Sequence, residues 1–280
     1  MPTDLRELLA NERSNFEATS KFMGHSFALI KDLETVYELA VKQIKRIPTG
    51  TTSDSDLAFH AVLNQFMISR MLLTQAASAV LKMYQGDALM HLRKAIEMCA
   101  FAVRISKHQE LGRVWLEAGL DPENEMMKTK YRAYRKAFRT ELIFPASGEP
   151  DHDPGLTDLK QKWEICSKPV HGSIFGIANF ISNARKAGTG TTIAFFDLPH
   201  GSLQSMFLYV VTTHLTILKL FTPAIGGYMD DQTLWSKELK YASEKASRFL
   251  GAWTPNIMAL RAARKGKLKP RTGSQGHYSS

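Results

Sequence analysis

Four polar side chains are the residues of this sequence best placed for chemistry. Arg93 and Glu97 stand one helical turn apart, and His171 ends a later helical segment at Gly172. A helix C-terminus favours the imidazolium form, so His171 could act as a general acid or base, or could instead cap the last carbonyls. The sequence predicts that any catalytic centre uses His171 with Arg93 and Glu97. Arg70 would support it.

Arg70 and His214 are informative because each interrupts an otherwise apolar helical stripe. Burying an unpaired charge costs several kcal/mol, about 3 to 5 when a buried partner is removed, so each is expected to have a partner. That partner could simply fix the packing. If Arg93 and Glu97 face Arg70 across a helical hairpin, the three residues form a buried Arg–Glu–Arg cluster.

A second segment resembles a sequence motif more than any other part of the chain. Its polar and aromatic residues recur every four positions and are followed by Gly-Ser: Trp163, Ser167, His171, Gly172 and Ser173. Together with the Arg93–Glu97 helix, over about residues 55 to 180, it resembles an uncharacterised all-helical bacterial family related to the HEPN superfamily. The resemblance implies a helical bundle that forms a homodimer. It also implies RNA cleavage or RNA binding, in bacterial defence or stress response.

The nuclease members of that superfamily carry an arginine and a histidine separated by four to six residues on one helix. No arginine stands in that window ahead of His171, and only three residues separate Arg104 from His108. Whether the chain is an enzyme therefore stays open. If it is, the resemblance implies a metal-independent ribonuclease. Arg104 and His108 are predicted to belong to a solvated face, because exposed pairs at this spacing contribute little.

Four basic residues have the spacing of one helix face, with no acidic residue among them: Lys128, Arg132, Arg135 and Arg139. Like charges at this spacing repel, and an anionic partner would explain the line: nucleic acid, an acidic protein or a membrane surface. Interleaved tyrosines also suit base stacking, which favours nucleic acid. The alternative is a solvated face whose acids come from a neighbouring helix.

Metal and cofactor motifs are few. Asp151, His152 and Asp153 resemble a fragment of a metal site, but three consecutive ligands rarely converge on one ion and Asp153 suits a helix cap. The sequence contains no glycine-rich phosphate loop, no Gly-x-Ser-x-Gly elbow and no Cys-x-x-Cys pair. These patterns predict no metal and no cofactor, and they argue against nucleotide hydrolysis, serine hydrolysis and a zinc ribbon.

Charge and composition favour a cytoplasmic protein. Of the net charge of +9, six positive charges lie after residue 260, where there is no acid, so the basic character is concentrated in a tail. Cys99 and Cys166 fall inside helical patterns, which favours reduced thiols over a disulfide. The N-terminus has no apolar signal region. The apolar stretch Met206–Phe221 contains His214 and Lys219, which favours a buried bundle helix over a membrane span.

Helical periodicity dominates the chain and predicts an all-α fold. A tight turn at Gln85-Gly86-Asp87 predicts a central antiparallel helical hairpin, and only Thr191–Phe196 suggests an extended segment. We expect a single multi-helix bundle over residues 1–258 and a basic, disordered, flexible tail over 259–280. The predicted helices are about Phe22–Ile47, Asp56–Tyr84, Ala88–Ile105, Leu111–Ala118, Pro122–Leu142, Leu156–Ser167, Gly201–Thr222 and Asp231–Phe249.

Three functions are compatible with these patterns. The leading hypothesis is a HEPN-like helical protein that engages RNA or another polyanion. The second is a non-enzymatic adaptor or scaffold whose basic surfaces bind an acidic protein partner. The third is a small-molecule binder with its pocket between helices around His214.

Overall fold

The structure is a computed structural model and describes residues 5–44, 53–82, 84–118, 125–170 and 200–267. Within these ranges it contains no strand, only an isolated bridge between Ile44 and Met229. The all-α prediction is confirmed. The helices are α1 (Leu5–Phe22), α2 (Gly24–Gln43), α3 (Asp54–Leu81), α4 (Gln85–Lys107), α5 (Glu110–Leu116), α6 (Glu125–Ala137), α7 (Thr140–Ile143), α8 (Pro154–Val170), α9 (His200–Gly226) and α10 (Gln232–Lys267).

Helices α3 and α4 form the antiparallel hairpin at the centre of the bundle. Ser53 caps α3 by accepting a hydrogen bond from the backbone N–H of Asp56 at 3.2 Å, and acidic residues in the first turn complement the helix dipole. The two helices pack closely enough for the Ser69 hydroxyl to donate to the carbonyl of Ala95. The predicted central hairpin is therefore present, and the other helices pack around it.

The core lies where α9 packs against the hairpin, with α2 and α10 beside it. Phe66 is the centre of this contact: its ring lies 5.0 Å from that of Phe221, edge to face, and 4.7 Å from that of Tyr37. Among the described residues, the span Leu203–Gly226 is the one helix whose length and apolar composition would suffice to cross a membrane. In the bundle, 67% of its most apolar window is buried, and a core helix has the same composition.

Helix α5 crosses α3 at a point where only glycine fits. A Cβ atom on Gly112 would lie 2.5 Å from the backbone nitrogen of Ala58 and 2.9 Å from the carbonyl carbon of Leu57. The missing side chain lets the two backbones approach, so the crossing depends on this residue.

Several boundaries differ from the sequence prediction. Helix α1 is not among the predicted helices, and the helix expected to end at Leu142 ends at Ala137, because Arg139 has extended backbone angles and begins α7. Helix α10 continues to Lys267, so the first nine residues of the predicted flexible tail are helical; the run of alanine, leucine and arginine there favours a helix. Thr191–Phe196 lies outside the described residues.

Replacing Gly112 with Ala tests the close crossing. The added methyl group would force α5 away from α3, and we expect a loss of about 1 to 3 kcal/mol in the free energy of unfolding. Gly86→Ala is the control, because nothing lies within 4 Å of a Cβ there, and it should leave stability unchanged or slightly raised. The free energies of unfolding of both variants can be measured in urea. Equal values for the two variants would contradict a close crossing of α5 and α3 at Gly112.

Candidate nucleic-acid interface

One line of side chains along α4 holds the segment from α6 to α8 against the hairpin. Its members are spaced three or four residues apart, so they share a helix face. Arg93 and Glu97 contact α8. Phe101 and Arg104 contact the end of α6 and the residues after it, and His108 contacts the loop before α8. We call this set the α4 line, and it consists of Arg93, Glu97, Phe101, Arg104 and His108.

The N-terminal end of the α4 line contacts α8 through Trp163. The Nε of Arg93 donates to Oε1 of Glu97 at 3.1 Å, and the indole N–H of Trp163 donates to the same oxygen at 3.0 Å. The guanidinium of Arg93 also lies over the Trp163 ring, 5.2 Å from its centre. Lys94 adds a bond to the other oxygen of Glu97. The structure thus brings together the two segments that the sequence motif pairs.

The remaining members of that motif divide into two groups. Ser167 donates its hydroxyl back to the carbonyl of Trp163 at 2.7 Å, a bond within α8. His171, Gly172 and Ser173 lie outside the described residues. The predicted role of His171 therefore stays a prediction, and Arg93 and Glu97 are bound to one another and to Trp163.

Arg70 does not join this cluster, so the condition for a buried Arg–Glu–Arg cluster is not met. The Nε of Arg70 lies 2.6 Å from Oε2 of Glu34, and a second guanidinium nitrogen lies 3.3 Å from Glu38. Thr74 donates to Glu34 as well. Both acids lie on α2, whereas Glu97 lies on α4 and binds α8. Arg70 therefore ties α2 to the hairpin.

Arg104 and His108 are not on a solvated face, so this prediction is also wrong. Arg104 donates to the carbonyl of Ala137 at 2.9 Å and to that of Leu142 at 3.3 Å. His108 Nε2 lies 2.6 Å from the carboxylate of Asp151, in the loop before α8. This hydrogen bond from His108 holds the pKa of Asp151 below its usual value, with smaller contributions from the cations nearby.

The loop residues around Asp151 point in separate directions. Asp153 accepts a 2.7 Å hydrogen bond from the backbone N–H of Gly155 and so caps α8, as expected. His152 faces the carbonyl of Pro145. A small, shallow cleft lies beside Arg104 and Asp151. In the described part of the chain no group of three or more His, Cys, Asp or Glu residues could hold a metal ion.

The basic face of α6 is exposed, and its positive charges are not paired with acidic side chains of the described residues. We use this name for Arg132, Arg135 and Lys136 on α6 together with Arg139, which lies just beyond the end of the helix. All four are exposed, and Lys136 is not part of the line that the sequence predicted. Within the described ranges, no acid forms a salt bridge with these four residues. The acid of the neighbouring helix, Glu117, instead binds Lys130, on the opposite side of α6. Lys128, also in the predicted line, is half-buried and already has a partner.

An aromatic cluster anchors α6 beside this face. The rings of Phe101 and Phe138 lie 5.0 Å apart, and Tyr134 lies 5.2 Å from Phe138. Tyr131 stacks on Tyr134 with ring centres 6.1 Å apart and an angle of 23° between the planes. Burial raises the pKa of Tyr134, whereas Tyr131 is half exposed and forms the outer end of the cluster.

His214 is fully buried at the centre of α9. Neither ring nitrogen has a hydrogen-bond partner among the described residues, and the ring of Tyr37, whose hydroxyl is also unpaired there, lies 5.4 Å away. Burial lowers the pKa of His214 to about 3, so the ring is neutral in the folded protein. The expected partner of His214 is therefore not found among the described residues.

Both cysteines are buried free thiols. Burial raises the pKa of Cys99, and it raises the pKa of Cys166 to about 12 despite opposing contributions from Tyr209, Arg93 and Lys162. Neither thiol is therefore a nucleophile at neutral pH.

Comparisons with protein-family models, curated proteins and solved structures gave no match to this chain. Its function is therefore inferred from its own residues and their geometry.

Replacing Glu97 with Ala tests the contact between the α4 line and α8. It leaves the Trp163 N–H and the Arg93 guanidinium without their shared acceptor in a site where Glu97 is only 13% exposed. We expect a loss of about 1 to 3 kcal/mol in the free energy of unfolding, and a smaller loss for Glu97→Gln, which keeps an acceptor oxygen. Glu164→Ala, on the exposed side of α8, is the control and should change stability by less than about 0.5 kcal/mol. The measurement is the free energy of unfolding in urea. If Glu97→Ala is as stable as the Glu164→Ala control, Glu97 does not hold α8 against α4.

Replacing His214 with Phe tests the neutral buried ring. The unfolded chain binds a proton on His214 below about pH 6.5, whereas the folded chain does not until about pH 3. Stability should therefore fall as the pH falls through this window, by up to about 1.4 kcal/mol per pH unit. His214→Phe should be as stable as the wild type or more stable at pH 7, and its stability should fall less towards pH 4. Urea unfolding at several pH values measures the difference, and parallel curves would contradict the assignment.

Proposed function

We propose that the chain is a helical RNA-binding protein and that the basic face of α6 is its contact surface. One observation carries the proposal: Arg132 and Arg135 on α6 and Arg139 just beyond its end are exposed, and none of them has an acid partner among the described residues. Like charges so close together repel in the free protein, and phosphate groups would relieve that repulsion.

The support for a defined surface comes from how α6 is held. Phe138 and Tyr134 pack against Phe101, and Arg104 binds the carbonyl at the end of the helix. The arginine-bearing face is thus fixed relative to the hairpin, and a fixed surface gives up less conformational freedom on binding than a flexible segment does. Arginine also forms bidentate bonds to phosphate, which a lysine cannot.

Relationship to the HEPN superfamily, a homodimer and a role in defence stay predictions from the sequence. So does catalysis through His171. Arg93 and Glu97 bind Trp163, and Arg70 binds Glu34 and Glu38, so these three residues have structural partners of their own. The proposal is therefore one of binding, and the competing function is an adaptor that presents the same face to an acidic protein.

Reversing two charges on the basic face tests the proposal. We expect Arg132→Glu together with Arg135→Glu to weaken binding of a single-stranded RNA at least about tenfold at low salt. The slope of log affinity against log salt should shrink by about 0.7 for each phosphate that the variant no longer neutralises. The measurement is a salt titration of fluorescence anisotropy. Removing residues 268–280 should weaken binding only modestly.

The matched control reverses Lys237 and Lys240 to Glu. Both are exposed on α10, and the double substitution changes the net charge by the same amount. This control should keep most of the affinity if the surface is specific. Equal weakening by the two double variants would show that only net charge matters. No binding by the wild type at low salt would contradict RNA binding, and the adaptor would then be the better account.

A further inference from the structure

We infer that Tyr131 is a stacking platform for an unpaired nucleobase, so that the ligand of the basic face is single-stranded nucleic acid. This inference rests on the proposed function and narrows its ligand class. Base stacking on aromatic side chains accepts any base, because every base has a flat π face.

The geometry of the aromatic cluster carries the inference. Phe101 and Phe138 are buried, Tyr134 is half-buried against them, and Tyr131 lies outermost. Tyr131 presents one ring face to Tyr134, with an angle of 23° between the planes, yet half of its surface is exposed. Tyr134 thus helps to orient the Tyr131 ring, and the exposed half of Tyr131 is available for contact with a ligand.

The basic face adjoins Tyr131 on the same helix. Arg135 is one helical turn from Tyr131, and side chains at this spacing share a face with about 5 to 6 Å between their Cβ atoms. Arg132 lies on α6 and Arg139 just beyond its end, so further cations flank Arg135 on both sides along the chain. A single strand can thus place a base on Tyr131 and its phosphates on the arginines.

Other polyanions do not use this arrangement. The bases of a duplex are already stacked and paired, and the major groove of double-stranded RNA is too deep and narrow for side chains to read. Inorganic polyphosphate has no base at all. Each of these should bind through charge alone, and the contribution of Tyr131 should appear only with a single strand.

The experiment compares three labelled or competing probes: a single-stranded oligouridylate, an RNA duplex of the same length and inorganic polyphosphate. We expect Tyr131→Ala to weaken oligouridylate binding about tenfold or more and to leave polyphosphate binding unchanged. Tyr131→Leu keeps an apolar contact with Tyr134 without the ring, so it gives the same test if the alanine variant does not fold. Tyr131→Trp should keep the affinity and show quenched indole fluorescence on binding.

The matched control is Tyr241→Ala. Tyr241 lies on α10 and is 49% exposed, against 50% for Tyr131. The Tyr241→Ala variant should bind all three probes with the same affinities as the wild type. If the wild type binds none of the probes, the proposed function and this inference both fail. Two outcomes would contradict the stacking platform alone, provided that the wild type binds the probes. In one, the Tyr131 variants keep full affinity for oligouridylate. In the other, they lose affinity for all three probes by the same factor.

Discussion

The end of α6 is held by one polar interaction, the hydrogen bonds that the Arg104 guanidinium donates to carbonyls there. The last carbonyls of a helix have no partner inside that helix, and Arg104 supplies one to Ala137 at the end of α6 and one to Leu142 in α7. Hydrogen bonds from a charged donor are worth about 1.5 to 3 kcal/mol each, and a cation also suits the negative end of the helix dipole. One guanidinium therefore sets where α6 ends and which way its arginines face.

The α4 line combines this polar contact with apolar ones. Phe101 supplies the aromatic contact one turn before Arg104, and Glu97 supplies the bond to Trp163 one turn further. Because these contacts reach α6, α7 and α8, the three helices are positioned by a single face of α4. The α4 line consequently contacts the helix that carries the basic face and also forms the Arg93–Glu97–Trp163 cluster, although the basic face and the cluster share no residue.

The sequence predicted what depends on local spacing. The α3–α4 hairpin follows from two periodic segments with a short connection, although the predicted turn residues Gln85, Gly86 and Asp87 form the first turn of α4. Of the predicted basic line, Arg132 and Arg135 lie exposed on α6, and Arg139 lies beyond its end. The partners of Arg70 and His108 could not be predicted this way, because Glu34 lies 36 residues before Arg70 and Asp151 lies 43 residues after His108. Helix α1 has a local signal in the Arg13–Glu17 pair at i and i+4, which a search for apolar stripes does not detect. His214 is the opposite case. The sequence predicted a buried residue with a partner, and the structure buries it without a partner among the described residues.

The burial of both cysteines has a practical consequence for spectroscopy. Only a thiolate reacts readily with maleimides or iodoacetamides, and Cys99 and Cys166 are held protonated inside the bundle. The chain contains no other cysteine. A cysteine introduced at an exposed position can therefore be labelled selectively in the native protein, with both original thiols left in place. Fluorophores or spin labels on different helices could then report distances within the unaltered core.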